Sequence, residues 1–361
     1  MKKVSVVGRG TAGVVSMLTL LKAKEWSDNS DDFQCEIDWH FDPNIKTQPV
    51  GEGANLWFMQ FLDHRLHLDW EQLVQFDASP KQGIYYHNWG KKDYFHDFSL
   101  GTSSIHFNAV KFQEYMLERF ANNSKVNIIE SNITSHDQVD GNFVIDCTGR
   151  PKELTDEYIV PDYIPVNSVH VTQCYWHGPT FYHTKTIARP YGWVFLVPLN
   201  NRCSVGYLYN KSINTLDDIK LDVQNVFDEY NLTPSVDTNS FSFLNYHKEK
   251  IFDGRSIYNG NKAFFLEPME ATSIDSMLKI QSMFLDKRPK PNEKMHKWFK
   301  ENEFVIMMHY AAGTKWNTHF WEYAQDRGIR CFNSFKLDLS KDYGTWGPWN
   351  LRRNLIGLGF L

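Results

Sequence analysis

The segment Gly8-Arg9-Gly10-Thr11-Ala12-Gly13 constrains this chain more than any other, because its glycines lie between two apolar runs of different character. Before it, Lys3–Val7 is rich in β-branched residues and reads as a strand. After it, Val14–Lys24 (VVSMLTLLKAK) has helical character, and Cys35–Phe41 (CEIDWHF) reads as a second strand ending at Asp42-Pro43. Strand, glycine turn, helix and strand in that order make a βαβ unit. Each glycine has its own physical reason. Gly8 allows the tight turn, Gly10 lets the backbone approach a pyrophosphate, and Gly13 lets the helix pack closely on the strand. The helix start, with Thr11 and Ala12, then offers free N–H groups and a positive dipole end to the phosphates. Asp42 is the best-placed acid for a ribose hydroxyl. The acidic loop Ser27–Asp32 accounts for an offset longer than the usual ~20 residues.

The chain has 361 residues, enough for one large domain or two intimate ones. Its net charge of −5 supplies no basic field of the kind that nucleic acid or an anionic membrane would require. No stretch approaches the roughly 20 apolar residues of a membrane span, and the apolar start is broken too early for a signal peptide. Five cysteines without CxxC spacing point to reduced thiols in a cytoplasm and away from a disulfide frame or a zinc site. Aromatic content is 15%, most of it expected in the core and some available to line a pocket for a flat ligand.

Further along, Asn142–Asp146 (NFVID) followed by Cys147-Thr148-Gly149-Arg150 has the form of a later crossing of the same sheet, though any strand ending in a turn looks similar. Between residues 163 and 243, short runs such as VHVTQCYW, WVFLVPL and RCSVGYLY suggest antiparallel strands. Phe264–Leu278 and Asn292–Phe304 read as helical or mixed, and Trp316–Arg327 as an amphipathic helix. The fold class is α/β: a Rossmann-like βαβ domain interleaved with an antiparallel-sheet and helical module. The expected division is 1–160 with 250–285 for the nucleotide domain, and 161–249 with 286–361 for a substrate-binding module.

Several separated segments resemble, in order, those of the flavin-dependent tryptophan halogenases. They are the GRGTAG turn, Val50-Gly51-Glu52-Gly53, Ser79-Pro80-Lys81-Gln82-Gly83-Ile84 leading to Asn88-Trp89, GWVFLVP from Gly192, and EPMEATSI from Glu267. His309-Tyr310 and Phe320-Trp321 match a later, less specific stretch. The chain departs from the family's pattern in three places: Asn261 stands where such flavoproteins often carry an Asp near the ribitol chain, Phe195 replaces the central Trp of the second signature, and the C-terminal part is short. The last departure implies a reduced substrate lid, a more open site and an arene other than tryptophan.

The resemblance implies FAD, used in its reduced form, and a halide ion. FAD would be bound by Gly8, Gly10, Thr11, Ala12, Gly13, Asp42, Val50, Gly51, Asn261 and Ile274. It implies Lys81 as the residue that hydrogen-bonds hypohalous acid or carries the halogen as a haloamine, a role for a compact amine that a guanidinium cannot imitate. By default a lysine is a solvated surface residue, and only the matched segment moves Lys81 to the functional side. Glu270 would assist deprotonation of the ring or hold the lysine, or else serve as a helix-start acid. Thr272 and Ser273 would offer backbone N–H groups to the halide, or simply cap a helix. His96 and Phe98 resemble the residues that sandwich the substrate ring. Trp193 reads as a structural wall. The implied partners are a separate flavin reductase and a small aromatic substrate, with no nucleic acid and no membrane; a homo-oligomer is compatible with the sequence. Two other readings stay open: a flavin-dependent aromatic monooxygenase, and a non-catalytic FAD-binding protein.

Overall fold

The computed structural model describes residues 2–27, 35–45, 51–98, 102–285 and 289–361. Val50 and most of the acidic loop after residue 27 lie outside the described residues. The βαβ unit is present as β1 (Lys2–Val7), α1 (Thr11–Ser27) and β2 (Cys35–Phe41). β1 and β2 pair in parallel, Val4 opposite Ile37 and Val6 opposite Trp39. A five-stranded parallel sheet forms in the order β17 (Ser256–Tyr258), β9 (Phe143–Asp146), β1, β2, β8 (Val126–Glu130). NFVID is therefore a later crossing of the same sheet, next to the glycine turn. α1 is buried on most of its circumference (Val14, Val15, Met17, Leu18, Leu20 and Leu21), as befits a helix covered on both sides. Its two interior hydroxyls, Ser16 and Thr19, return hydrogen bonds to the Ala12 and Val15 carbonyls, 2.7 Å each.

The second large sheet has the order β15 (Thr233–Ser242), β11 (Ser168–Tyr175), β14 (Arg202–Tyr209), β13 (Gly192–Pro198), β12 (Thr184–Arg189), β5 (Gly83–His87), β6 (Tyr94–Asp97). It is antiparallel as expected, except that β5 joins β12 in parallel and so delivers the 79–98 segment to the sheet. α5 (Leu216–Glu229) covers this sheet with Ile219, Val223, Val226 and Phe227 packed on Val194, Leu196 and Val205. The expected helices do not include α5, although Ile219, Val223, Val226 and Phe227 recur at helical spacing and Thr215 and Asp218 form a capping box at its start.

Two small sheets tie the layers together: β3 (Gly51–Gly53), β7 (Ser104–Asn108), β4 (Ser79–Lys81), and β10 (Tyr158–Ile159), β16 (Tyr246–Lys248), β18 (Phe264–Phe265). α2 (Leu56–Leu66) and α3 (Trp70–Val74) follow β3, and α4 (Ala109–Ala121) starts from the cap Asn108, whose Oδ1 accepts from the Val110 and Lys111 N–H groups. The C-terminal part is helical: α6 (Thr272–Leu285), α7 (Pro291–Ala312), α8 (His319–Ser334) and α9 (Pro348–Leu358). α7 runs through the core, with every residue from Phe304 to Ala311 buried. α8 begins three residues later than the periodicity suggests, because the Thr318 side chain caps it through the Trp321 N–H. Among the described residues no helix is long and apolar enough to cross a membrane, and all five cysteines are buried and unbridged.

Candidate active site

At the nucleotide end, the glycines behave as their spacing requires. Gly8 has φ +104°, and a Cβ there would lie 2.3 Å from the Cys147 carbonyl oxygen. A Cβ on Gly13 would lie 2.0 Å from the Gly8 carbonyl, which also accepts the Trp39 indole N–H at 3.0 Å. Gly10 faces open space, with nothing within 4 Å of where its Cβ would be. A bare, open backbone at the N-terminus of a long helix is what a pyrophosphate needs, so the residues present fit a dinucleotide.

The neighbours fit as well. Gly260 lies so close to Ala12 that a Cβ would come within 2.4 Å of the Ala12 methyl. This brings the adjacent Asn261, whose carbonyl accepts the Tyr246 hydroxyl at 2.6 Å, to the helix start. Ile274 is buried in the first turn of α6. Asp42 stands at the C-terminal end of β2, where its carboxylate accepts the Asn44 backbone N–H at 2.9 Å. A cleft of about 530 Å³ opens beside Val7, Asp146 and Thr148; it reaches neither Lys81 nor Glu270. It lies at the C-terminal edge of the parallel sheet, where open α/β sheets bind ligands.

β3 spans from this end to the other. Glu52 Oε1 accepts the Thr11 hydroxyl at 3.3 Å at the start of α1, and burial raises its pKa to about 7 despite that bond. An acid whose pKa is raised in this way would oppose a phosphate at the helix start less than a fully ionised one. The next residue, Gly53, is walled in: a Cβ there would lie 3.3 Å from Lys81 Nζ, from the His106 ring and from Thr184 Oγ1. One short strand thus touches the nucleotide turn with one residue and Lys81 with the next.

Lys81 is not a surface lysine. It is 1% exposed, on β4 paired to β7, with Nζ 5.5 Å from the centre of the Phe98 ring and, among the described residues, no hydrogen bond. Burial drives its pKa down to about 8, while the Glu270 charge pulls the other way. At pH 7 roughly a tenth of it is free amine, against well under a thousandth for a solvated lysine. His106, beside it, is held well below its usual pKa by burial and then by the Lys81 charge, and its Nε2 meets Thr184 Oγ1 at 2.9 Å.

Glu270 closes a 3-10 turn (Pro268–Glu270) that ends on Ala271 at φ 51°. Its Oε1 accepts the Tyr86 hydroxyl at 2.7 Å and lies 2.9 Å from His309 Nε2, while Oε2 has no partner among the described residues. Tyr86 stacks on Tyr94 at 4.6 Å. Glu267, at the other end of the same turn, is fully buried; burial pushes its pKa up to about 8, against hydrogen bonds from Tyr310 Oη (2.7 Å) and Trp193 Nε1 (3.1 Å). Trp193 is indeed a wall, 1% exposed. Thr272 and Ser273 open α6, and the buried Thr272 hydroxyl caps nothing, which leaves the first-turn N–H groups for an anion.

The expected open site is not what forms. α9 lies over β6: Asn350 Oδ1 is 3.3 Å from His96 Nε2, Asn354 accepts the Tyr94 hydroxyl, and Arg353 pairs with Asp97. The ring that His96 meets is the chain's own Trp346, centroids 5.1 Å apart. Burial lowers the pKa of His96, and His96, Lys81 and Glu270 are each at most 3% exposed. α9 serves as a cover over β6. Tyr86, His106, His309, Glu52 and Glu267 join the site without having been given a role, although Glu52, Glu267 and His309 lie in segments that carry the resemblance. The adjacent pair His309-Tyr310 was the available signal.

Known proteins give the same picture. A sequence profile described as tryptophan halogenase matches residues 3–136 and 125–345. A tryptophan 7-halogenase of Lentzea aerocolonigenes is 24% identical over 167 residues, which is 43% of this chain and 31% of that protein; the chain thus aligns with less than a third of the relative's length. Among solved structures, a flavin-dependent halogenase from Xanthomonas campestris superposes with a TM-score of 0.82 at 19% identity, covering 100% of this chain and 89% of that one. A tryptophan halogenase from Shewanella frigidimarina gives 0.82 at 18% identity, covering 99% and 89%.

Proposed function

This chain belongs to the tryptophan halogenase family, and on that premise we propose that it is a flavin-dependent halogenase acting on an electron-rich arene such as an indole or a phenol. Chloride, bromide or iodide would be the halide and a separate reductase the source of reduced FAD. FAD would be held by Gly8, Gly10, Thr11, Ala12 and Gly13 at its pyrophosphate, by Asp42 at the ribose, and by Gly51, Asn261 and Ile274 further along. When bound and reduced, it supplies the two electrons with which oxygen and halide yield hypohalous acid. Thr272 and Ser273 would hold the halide on their N–H groups.

Lys81 then receives the electrophile. As an ammonium it donates a hydrogen bond to the oxygen of HOX and polarises the O–X bond; as an amine it forms N–X and releases water. A pKa near 8 keeps both forms within reach at neutral pH. Glu270, through its free Oε2, takes the proton that the halogenated ring must lose. Phe98 lines the approach to Lys81, and His96 would meet the arene where it now meets Trp346. The division into a nucleotide domain (1–160, 250–285) and a substrate module (161–249, 286–361) and a cytoplasmic location belong to the same proposal.

The observation that carries this reading is the burial of Lys81 against Gly53, one residue from the contact between Glu52 and the nucleotide turn. Neither an aromatic hydroxylase nor a mere FAD carrier has a use for a cation and a carboxylate desolvated at this place, where burying them is costly. The test is incubation with FAD, a flavin reductase, NADH and bromide or iodide against a panel of indoles and phenols, read by mass spectrometry. Hydroxylated or unchanged arenes throughout would refute it.

A further inference from the structure

Two consecutive residues of α7 hold the two carboxylates of the turn that carries Glu270. Tyr310 donates to Glu267 Oε2 at 2.7 Å, and His309 Nε2 lies 2.9 Å from Glu270 Oε1. All four side chains are buried.

The His309 ring cannot choose its tautomer. Its Nδ1 is 3.0 Å from the Val305 carbonyl, one turn back on the same helix, and a carbonyl can only accept. Nδ1 therefore carries a hydrogen. The ring is fixed in this pose by stacking on Tyr86 at 4.9 Å and by the Trp89 edge at 6.1 Å. A neutral ring would then turn a bare lone pair on a carboxylate oxygen at 2.9 Å, two acceptors too close for anything to stand between them. The contact is at ion-pair distance and is not a straight N–H···O bond. The other groups whose charge bears on this carboxylate are Lys81 from β4, Tyr86 from β5, and Tyr94 and His96 from β6. Both tyrosines are pushed well above their usual pKa by burial and stay neutral donors, and burial disfavours charge on His96. None of them supplies the missing proton between Nε2 and Oε1.

We propose that His309 is a positioning residue that shares one buried proton with Glu270. While Nε2 holds this proton, Oε1 meets it together with the Tyr86 hydroxyl, and the carboxylate is pinned with Oε2 turned free to accept the arene's proton; when Oε1 holds it, the proton must return to Nε2 as Oε2 takes the arene's. The proposal rests on the reading of Glu270 as the ring base. It makes the pair His309 and Glu270, and not Glu270 alone, the unit that takes the arene's proton.

The first measurement needs no activity. Nitrogen-15 NMR of histidine-labelled protein, with His309→Gln for assignment, reports the protonation of each ring nitrogen, and carboxyl infrared difference spectra against Glu270→Gln report a protonated acid. An imidazolium at His309, or a neutral ring facing a protonated Glu270, is the expected result at pH 7. In Glu270→Gln the ring should fall to the neutral Nδ1–H form. A neutral ring facing an ionised Glu270 in the native protein would overturn the shared proton.

The second measurement is the reductase-coupled halogenation assay. Gln places an amide near Nε2 but cannot carry the charge, so His309→Gln should lose about tenfold or more in kcat, with KM for the arene nearly unchanged, a displaced pH profile and unchanged FAD binding. His309→Asn, which keeps a donor toward Val305, serves if the Gln variant does not fold. Full activity with an unmoved pH profile in a folded His309 variant would overturn the positioning role. Full activity of Glu270→Gln would instead overturn the ring-base reading, while the spectra would still decide whether the proton is shared.

Discussion

Replacing Lys81 with Met should make the protein more stable and inactive at once. Lys81 is 1% exposed, and burial lowers its pKa from 10.5 to about 8. In the unfolded chain the amine keeps the higher value, so below pH 8 the folded state bears the full cost of a desolvated ammonium, about 3 kcal/mol for such a difference in proton affinity. Between pH 8 and 10.5 the unfolded chain binds more protons than the folded one, so this cost shrinks as pH rises and is gone above 10.5. Met fills nearly the same volume without charge. Urea unfolding of both proteins at pH 7 should therefore show Lys81→Met more stable by about 2–3 kcal/mol, with the advantage fading toward pH 10.5; titrating groups other than the neighbours His106 and Glu270 cancel in the comparison. Halogenated product should vanish in Lys81→Met, Lys81→Ala and Lys81→Arg alike, while FAD binding and flavin reoxidation survive. If Lys81→Met is less stable at pH 7, or its difference from the native protein does not change with pH, the desolvation reasoning is wrong. If Lys81→Ala still halogenates, the lysine is a bystander.

Gly10→Ala should fold with little change in Tm, since its Cβ meets nothing, yet lose FAD affinity in a flavin titration; Gly13→Ala, whose Cβ would sit 2.0 Å from a carbonyl, should fail to fold stably. Glu267 has its pKa raised to about 8, so the native state holds its proton more tightly than the unfolded chain, and stability should fall as pH climbs from 4.5 to 8. Glu267→Gln should abolish that part of the slope in chemical unfolding, and an unchanged slope would show that the acid ionises freely. The purified protein should not oxidise NADH at an appreciable rate unless a flavin reductase is added, because one glycine turn serves one dinucleotide; rapid oxidation by the protein alone would remove the need for a partner.

Much of the fold follows from local pattern. Cys35–Phe41 is a strand because β-branched and aromatic residues alternate into a Pro stop, and the three glycines of the turn each have a steric reason visible in their spacing. Lys81 and Glu270 could be singled out through the segments that carry them. Their burial could not, because it depends on β7 and α9, elements from distant parts of the chain. Periodicity is blind to such contacts: the parallel entry of β5 beside β12 is a tertiary pairing. Local pattern was enough for the glycine turn, the α/β class and the residue types available for chemistry. Only the packing of distant segments takes water and proton affinity from a lysine at the end of a short β-ladder, leaves one oxygen of Glu270 without a partner among the described residues, and lays α9 over β6. Those outcomes depend on desolvation and on distance, and neither is a property of a residue until the rest of the chain is packed around it.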